Sequence, residues 1–393
     1  MTYNFDKIIQ RKNTNSLKYD FAEERGKPKD ILPMWVADMD FQVPTAVSKR
    51  LIELGNHGIY GYSETGENYF KAVANWMKTY HNWEVKEEWL VKTPGVVFAI
   101  AMAIRALTKE GDAILIQQPV YYPFSEMVLE NDRKLISNTL TYKEGKYGID
   151  FEDFESKIIE NQVKLFILCN PHNPVGRVWT KEELIKLGDI CLKHHVMVVS
   201  DEIHQDFIYE GHKHEVFMNL KKAYEDITIT CTAPSKTFNL AGLQISNIFI
   251  ANQEIRDKIK KEITKVGYSQ LNIAGIVACE AAYTEGREWL EEVKSYLTDN
   301  LNFLRDFLCS YIPQIKLVEP EGTYLVWIDF RGLGLEDDEL QNLIVNKANL
   351  WLDSGTMFGS AGEGFERINI ACPRSILKQA LEQLLRSIKA LNN

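Results

Sequence analysis

Short, almost wholly apolar segments in the middle of the chain constrain its fold more than any other feature. Five such segments, rich in β-branched residues, lie at 113–117, 164–169, 196–200, 227–231 and 246–251. Strands that are apolar along their whole length are buried on both faces, as happens in a mostly parallel sheet. Segments with helical spacing lie between them. This alternation predicts an α/β fold in which helices cover both faces of the sheet.

One of the intervening segments, 180–194, carries clear helix signals. Thr180 and Glu183 have the spacing of a capping box, in which each side chain bonds to the backbone of the other residue. Leu184 and Leu187 then lie on one face of the predicted helix. We therefore expect an amphipathic helix that packs against the sheet.

The last third of the chain follows a different pattern. A long amphipathic helix is predicted over about 286–311. It precedes a strand at 323–330, a helix at 336–347, a strand at 367–371 and a final helix from about 374. This succession is typical of an α+β unit, and the long helix is expected to connect it to the larger unit.

The chain is long enough for two domains, because it has 393 residues and single cores stop growing at roughly 250–300 residues. We predict a large α/β domain over 46–285. The segments 1–45 and 286–393 are expected to form an N-terminal arm and a small α+β domain. The arm includes 33–41, a loop rich in aromatic and acidic residues, which is expected to lie on another surface of the protein.

The net charge argues against two classes of partner. Lys and Arg number 45 and Asp and Glu number 55, so the formal net charge is −10. Nucleic acids and anionic membrane surfaces attract basic proteins, and neither is expected as a partner here. The longest apolar run, Val96 to Ile104, has nine residues, whereas a membrane-spanning helix needs about 20.

A cytoplasmic location is predicted. The first residues lack the apolar segment of a secretory signal peptide. The six cysteines lie far apart and form no C-x-x-C pair. This spacing is typical of reduced thiols, and it disfavours both a disulfide framework and a structural zinc site.

Polar residues that can react or bind a ligand follow three of the predicted strands. Asn173 comes soon after 164–169, Asp201 directly after 196–200, and Lys236 soon after 227–231. The carboxyl ends of parallel strands meet at one edge of a sheet, where ligands bind. A lysine there can form an imine, and an aspartate can pair with a protonated ring nitrogen. Each residue alone also fits a turn, a helix cap or a solvated surface.

Two further segments fit the same edge. Gly95 precedes Val96 and Val97 at the start of a predicted helix, whose backbone N–H groups and dipole favour a phosphate. Tyr121 follows the predicted strand 113–117, where its ring can stack on a flat ligand. Taken alone, these segments also read as an ordinary helix start and a packed loop.

Three histidines within eleven positions, His204, His212 and His214, raise the alternative of a metal site. No known zinc spacing accompanies them, and Gly211 marks a turn. We expect no metal, and we assign His204 to the active site and the other two histidines to a loop surface.

The order of these motifs resembles the pyridoxal-phosphate (PLP) enzymes of the aspartate-aminotransferase fold, fold type I, and within them the MalY/PatB-type C-S lyases, or cystathionine β-lyases. The resemblance covers nearly the whole chain. It rests on TPGVV (93–97), QPVY (118–121), NPHNPVGR (170–177), SDEIHQDF (200–207), SKTFNLAGLQ (235–244), PMWVADMDF (33–41) and FERINIACPR (365–374). The resemblance implies a large cofactor-binding domain, built on a mostly parallel sheet of seven strands, and a smaller α+β domain.

The resemblance also implies how the cofactor is held. Lys236 would bind PLP covalently, and Asp201 would keep the ring nitrogen protonated so that the ring can accept electrons. Asn173 would bond to the phenolic oxygen of the ring. Tyr121 would stack on the ring, and His204 would lie beside it.

The remaining implied contacts concern the phosphate, the partner subunit and the substrate. The backbone of Val96 and Val97, with Ser235, would hold the phosphate. Tyr62 would reach the phosphate of the other subunit, which implies a homodimer. Arg367 would bind the substrate carboxylate through its planar fork. The backbone of Ala37 would also contact the substrate carboxylate.

Three positions depart from the aminotransferase pattern. Gln244 stands where an arginine usually grips the phosphate, and His204 stands where a tyrosine is frequent. Both departures match the lyase branch. Ala233 replaces a serine that often binds the phosphate, and Thr232 is a candidate substitute.

The implied reaction is β-elimination from a sulfur-containing L-amino acid such as cystathionine or a cysteine conjugate, giving a thiol, pyruvate and ammonia. An aminotransferase with the same lysine, aspartate and arginine is the first alternative, because few substitutions separate such activities. A PLP-bound protein that only binds or regulates a partner is a more distant alternative.

Overall fold

The computed structural model describes residues 2–391, so the outermost residues of the predicted segments 1–45 and 286–393 lie outside it. Its strands are β1 Leu32–Pro33, β2 Leu90–Thr93, β3 Ala113–Ile116, β4 Lys134–Ser137, β5 Thr141–Lys143, β6 Lys146–Gly148, β7 Leu165–Cys169, β8 Met197–Asp201, β9 Thr228–Thr232, β10 Ser246–Phe249, β11 Lys316–Leu317, β12 Leu325–Asp329, β13 Leu350–Trp351, β14 Asp353–Ser354 and β15 Phe365–Asn369.

The α-helices alternate with these strands over most of the chain. They are α1 Thr45–His57, α2 Glu67–His81, α3 Val96–Leu107, α4 Pro123–Leu129, α5 Phe151–Asn161, α6 Lys181–Lys193, α7 Pro234–Thr237, α8 Gln253–Lys265, α9 Ile273–Glu285, α10 Arg287–Tyr311, α11 Asp337–Gln341 and α12 Arg374–Leu391.

Seven strands form the central sheet in the order β2-β10-β9-β8-β7-β3-β4. The strands from β4 to β9 in this order pair in parallel, with Leu165 opposite Met197 in the register of β7 and β8. Strand β10 is antiparallel to both of its neighbours, β9 and β2. The predicted α/β class with a mostly parallel seven-stranded sheet is confirmed.

The apolar strands are buried on both faces, because the side chains of successive residues pack into two different cores. In β7, Leu165 and Ile167 pack with the core that contains α3, whereas Phe166 and Leu168 pack with the core that contains α6. All four side chains are at most 1% exposed. Side chains alternate between the faces of a strand, so a strand covered on both sides must be apolar throughout. Each such side chain contributes roughly 1.5–3 kcal/mol of burial free energy.

Helix α6 begins where its sequence predicts. The Thr180 hydroxyl accepts a hydrogen bond from Glu183 N at 3.2 Å, and the Glu183 carboxylate accepts one from Thr180 N at 2.8 Å. This reciprocal pair is a capping box. Leu184 and Leu187 are fully buried, so the predicted amphipathic face is confirmed.

The C-terminal unit contains the antiparallel sheet β11-β12-β15-β14 and the long helix α10. The predicted helix over 336–347 is α11 followed by a π-helical turn at Asn342–Lys347. The predicted strand over 367–371 begins two residues earlier, at Phe365.

The N-terminal arm lies along this C-terminal unit. Strand β1 pairs in parallel with β13, and the Trp35 ring stacks on Trp351 with centroids 4.3 Å apart. Met34 O accepts a hydrogen bond from Asn369 N at 2.8 Å. The contact supports grouping 1–45 with the C-terminal unit, although the domain boundaries stay a prediction.

Within residues 2–391, no helix combines the length and apolar character needed to cross a membrane. The six cysteines are free thiols, of which Cys309 is exposed and the others are buried.

Candidate active site

The carboxyl ends of β7, β8 and β9 open into one pocket. Nine of the predicted site residues line it, together with residues that the sequence analysis did not assign. The lining residues are Ala37, Pro94, Gly95, Val96, Val97, Tyr121, Cys169, Asn173, Asp201, Ile203, His204, Ser235, Lys236, Ala241, Gln244 and Ile245. The predicted convergence of polar residues on one sheet edge is therefore present.

Lys236 lies in the short helix α7, directly after β9. Its Nζ donates a hydrogen bond to Ala37 O at 2.9 Å. Burial lowers the pKa of Lys236 to about 8, with Asp38 opposing this effect and Arg367 adding to it. About a tenth of the amine is therefore neutral at pH 7, far more than for an ordinary lysine, and the neutral form is what a nucleophile or general base requires.

Asp201 is the last residue of β8 and is 5% exposed. Its Oδ1 accepts a hydrogen bond from Ile203 N at 3.1 Å. Burial raises the pKa of Asp201 to about 7, although Ile203 N and the Lys236 charge lower it. A carboxylate in this position favours a cationic group in the pocket, because a positive charge beside it would restore its ordinary acidity.

Arg367 in β15 brings a guanidinium to the same region. Its Nη1 donates to Asn173 Oδ1 at 2.9 Å and its Nη2 to Trp35 O at 3.0 Å; Nη2 also pairs with the carboxylate of Asp353. The Nε–H group is buried and has no hydrogen-bond partner. An unsatisfied buried donor is costly, so a carboxylate ligand that accepts from it would be favoured.

The first turn of α3 supplies backbone donors. Helix α3 begins at Val96, and no side chain caps its N-terminus. The first N–H groups of a helix lack partners within the helix, and the helix dipole adds positive potential there. Val96, Val97 and Ser235 line this part of the pocket, which can therefore bind an anion such as phosphate.

Two aromatic rings complete the pocket wall. Burial raises the pKa of the Tyr121 hydroxyl, and Tyr121 N donates to Asn173 O at 3.0 Å. Burial and the nearby charges of Lys236 and Arg367 hold the pKa of His204 well below its ordinary range. His204 is therefore neutral, and its Nδ1 has no partner.

The chain matches known proteins over almost its whole length. The family model for class I and II aminotransferases matches residues 29–384. The chain belongs to the class I and II aminotransferase family. Within it, the chain is 45% identical over 381 residues to cystathionine beta-lyase PatB of Bacillus subtilis, covering 97% of this chain and 98% of that protein. It is 30% identical to protein MalY of Escherichia coli over 391 residues, covering 99% of this chain and 100% of MalY.

Two solved structures superimpose closely on this chain. Cystalysin from Treponema denticola, which contains a pyridoxal 5'-phosphate cofactor, matches with a TM-score of 0.96, 40% identity and 100% coverage of both chains. The PLP-bound C-S lyase from Staphylococcus hominis matches with a TM-score of 0.92, 35% identity and 98% coverage of both chains. The resemblance and the fold inferred from the sequence motifs are confirmed.

Two predicted site residues of this family member lie outside the pocket lining. Arg367 contacts the pocket through Asn173. Tyr62 is 97% exposed and does not line the pocket of its own chain. Its predicted contact with a partner subunit stays a prediction.

Sequence reasoning missed the residues that hold the loop 34–41 against the pocket. Tyr324 donates to Ala37 O at 3.1 Å. Asn239 exchanges hydrogen bonds with the backbone of Met39, and Asn369 donates to Val36 O and Asp38 O. Asn239 and Asn369 are close in sequence to Lys236 and Arg367, and this is the signal that could have identified them.

Two secondary predictions are wrong. The sequence predicts His214 at a loop surface, but it is buried and its Nε2 lies 2.8 Å from Glu202 Oε2. Thr232 is the candidate substitute at the phosphate, but its hydroxyl donates to Asn247 O inside the sheet. In both cases a partner distant in sequence takes up the polar group. Among the described residues, no cluster of three or more His, Cys, Asp and Glu side chains could hold a metal ion.

Proposed function

We propose that the protein is a PLP-dependent carbon–sulfur β-lyase. Its substrates are sulfur-containing L-amino acids such as cystathionine or cysteine conjugates, and its products are a thiol, pyruvate and ammonia. The observation that carries the proposal is the partly buried Lys236 amine, with its lowered pKa, in one pocket with Asp201 and within the electrostatic reach of Arg367. Relatives named as cystathionine β-lyases and C-S lyases support the reaction type.

The pocket residues fit PLP. Lys236 offers an amine for its aldehyde, and Asp201 offers a carboxylate whose raised pKa a protonated ring nitrogen would lower. Asn173, which lines the same pocket, would bond to the phenolic oxygen, and Tyr121 would offer an aromatic face with His204 beside it. When bound, PLP supplies an electron sink for a carbanion at the substrate Cα.

The phosphate and substrate groups have separate partners in this proposal. The backbone of Val96 and Val97, with Ser235, holds the phosphate at the N-terminus of α3. Arg367 binds the substrate α-carboxylate, with the backbone of Ala37 beside it. The free Arg367 Nε–H is a donor that the carboxylate can use.

The chain's own groups move the proton. The Cα–H bond breaks and its proton passes to the neutral Nζ of Lys236, which a pKa of about 8 keeps partly unprotonated at neutral pH. The electron pair left at Cα forms the Cα=Cβ bond of an enamine as the Cβ–S bond breaks, and the electron pair of that bond leaves on sulfur as a thiolate. The released enamine is hydrolysed to pyruvate and ammonia.

Assembly and location belong to the same proposal. A homodimer would cover the exposed Tyr62 ring and bring it to the phosphate of the partner subunit. A cytoplasmic location suits the six free thiols, because reducing compartments keep cysteines unpaired.

An aminotransferase is the second candidate, because the matched family model is named for that activity. It would use the same Lys236, Asp201 and Arg367 but would need a keto-acid acceptor. Gln244 in the pocket wall stands where aminotransferases of this fold usually carry an arginine, which favours the lyase.

The test is pyruvate release from L-cystathionine by the PLP-loaded enzyme, with no keto acid added. We expect many turnovers per subunit. Lys236→Ala should release none, and Asp201→Ala should bind PLP but react far more slowly. Lys222→Ala, at a lysine whose side chain is 84% exposed, is the matched control and should keep full activity. Absence of pyruvate without a keto acid, and turnover with one, would replace the lyase by the aminotransferase.

A further inference from the structure

A compact cluster of four charges joins the N-terminal arm to the loop 34–41. Arg11 Nη1 and Nη2 lie 3.1 and 2.5 Å from the Asp38 carboxylate oxygens, and Nη1 lies 2.7 Å from Asp40 Oδ1. Lys18 Nζ lies 2.9 Å from Asp40 Oδ2 and 3.8 Å from Asp38 Oδ1. The two cations balance the two carboxylates.

This cluster is largely removed from water. Lys18 is 1% exposed and Asp40 is 5% exposed, whereas the side chains of Arg11 and Asp38 are about one-fifth exposed. Burial alone would raise the pKa of Asp40, but Lys18 and Arg11 lower it below its ordinary value. In such surroundings charges are screened weakly, so losing one cation exposes its neighbours to an uncompensated negative charge.

The cluster adjoins the catalytic amine through one peptide unit. Asp38 directly follows Ala37, whose carbonyl oxygen accepts the 2.9 Å hydrogen bond from Lys236 Nζ. Asp38 is also the charged group that most strongly favours the protonated form of Lys236. Arg11 therefore pairs with Asp38, the carboxylate whose negative charge favours the protonated form of the Lys236 amine.

We propose that Arg11 is a positioning residue for the reaction: its bidentate pair with Asp38 neutralises that carboxylate and thereby keeps the Lys236 amine available as a base. The proposal rests on the function assigned to Lys236 above. Arg11 does not line the pocket. Besides Asp38 it bonds to Asp40 Oδ1 at 2.7 Å and to Met39 O at 3.3 Å, and it acts on Lys236 through the charge of Asp38.

The other groups that act on Lys236 come from several elements. The charged and titratable groups around it are Asp38 in the loop 34–41, Tyr121 after β3, Cys169 at the end of β7, Asp201 at the end of β8, His204 after β8, Tyr324 before β12 and Arg367 in β15. Of these groups, Asp38 is the one that Arg11 pairs with. Removing Arg11 therefore changes the charge balance at Asp38 and Asp40, and of the groups around Lys236 it affects Asp38 alone.

The loop has anchors that do not involve Arg11. Asn369 Nδ2 donates to Val36 O and Asp38 O at 2.6 Å each, and Asn239 Nδ2 donates to Met39 O at 3.0 Å. These bonds hold the backbone on both sides of Ala37. A change at Arg11 is therefore expected to alter the charge near Lys236 more than the path of the chain.

The test measures the Lys236 amine itself in the apoprotein. Competitive acetylation with a trace of acetic anhydride between pH 6 and 10.5, followed by mass spectrometry of the peptide containing Lys236, gives the pH at which this amine is half protonated. The variants are Arg11→Gln, Arg11→Lys and the double variant Arg11→Gln with Asp38→Asn. Arg305→Gln is the control, because Arg305 also makes a bidentate pair, with Glu319, on the protein surface.

Arg11→Gln should raise the half-protonation pH of Lys236 by about 0.5 unit or more, since an unbalanced carboxylate nearby favours the ammonium. Arg11→Lys should stay near the wild type, and the double variant should return to the wild-type value or below it. Arg305→Gln should cause no change. An unchanged value in Arg11→Gln, or a rise that Asp38→Asn fails to reverse, would overturn the proposal. The acetylation readout needs no lyase activity, so it is independent of the pyruvate test.

Discussion

Replacing Lys236 by methionine is expected to stabilise the apoprotein at neutral pH, although it removes the catalytic amine. Burial lowers the pKa of Lys236 from 10.5 to about 8. Each pH unit of this difference corresponds to about 1.4 kcal/mol, so the folded protein carries the ammonium at a cost of roughly 3 kcal/mol below pH 8. Methionine has a similar length and no charge, and Ala37 O keeps its hydrogen bond from Tyr324 at 3.1 Å.

The size of this gain depends on pH in a defined direction. Between about pH 8 and 10.5 the unfolded chain still binds the proton that folded Lys236 has released, so the wild type becomes more stable as the pH rises. The advantage of Lys236→Met should therefore fall from roughly 3 kcal/mol at pH 7 to about 1.4 kcal/mol at pH 9.5.

Urea unfolding of the two apoproteins at both pH values, followed by tryptophan fluorescence, measures the difference in the free energy of unfolding. Lys222→Met is the control, because the Lys222 side chain is 84% exposed, and it should change stability by less than about 0.5 kcal/mol. A variant no more stable than the wild type at pH 7, or a gain that is the same at pH 9.5, would refute the reasoning.

Three further substitutions test other parts of the structure. Arg367→Gln should raise KM for L-cystathionine about 10- to 150-fold in steady-state assays, because a charged hydrogen bond contributes about 1.5–3 kcal/mol; an unchanged KM would contradict its role. Thr180→Ala should lower the free energy of unfolding by about 1 kcal/mol in urea titrations, because it breaks the capping box with Glu183. Gly188→Ala should lower the free energy of unfolding by about 1–3 kcal/mol in the same assay, because the added Cβ would lie 2.4 Å from the Tyr224 ring.

The sequence predicts the central sheet and its polar edge well, for a physical reason. Strands such as 164–169 are apolar throughout because they are covered on both faces, and this pattern is local. The same pattern predicts that three polar residues lie close together, because residues after parallel strands meet at one edge of the sheet. These residues are Asn173, Asp201 and Lys236. The direction of β10 does not follow, because an apolar run reads the same in a parallel and an antiparallel neighbour.

Residues that depend on partners distant in the chain were not predictable in the same way. Nothing near His214 indicates that its ring is buried beside Glu202. The pair between Arg11 and Asp38 joins residues 27 positions apart, and Asn369 reaches a loop more than 330 positions away. Such contacts are set by how the arm and the C-terminal unit come together, which local periodicity does not encode.

The anchoring of the loop 34–41 ties two recognition tasks to one length of backbone. Asn239 lies three residues after Lys236 and Asn369 lies two residues after Arg367, and both bond to this loop. The loop thus sets the spacing between Lys236, which is proposed to react, and Arg367, which is proposed to bind the substrate. Inserting or deleting a residue in it would disturb amine reactivity and amino-acid affinity together, so neither property can be tuned through this loop without the other.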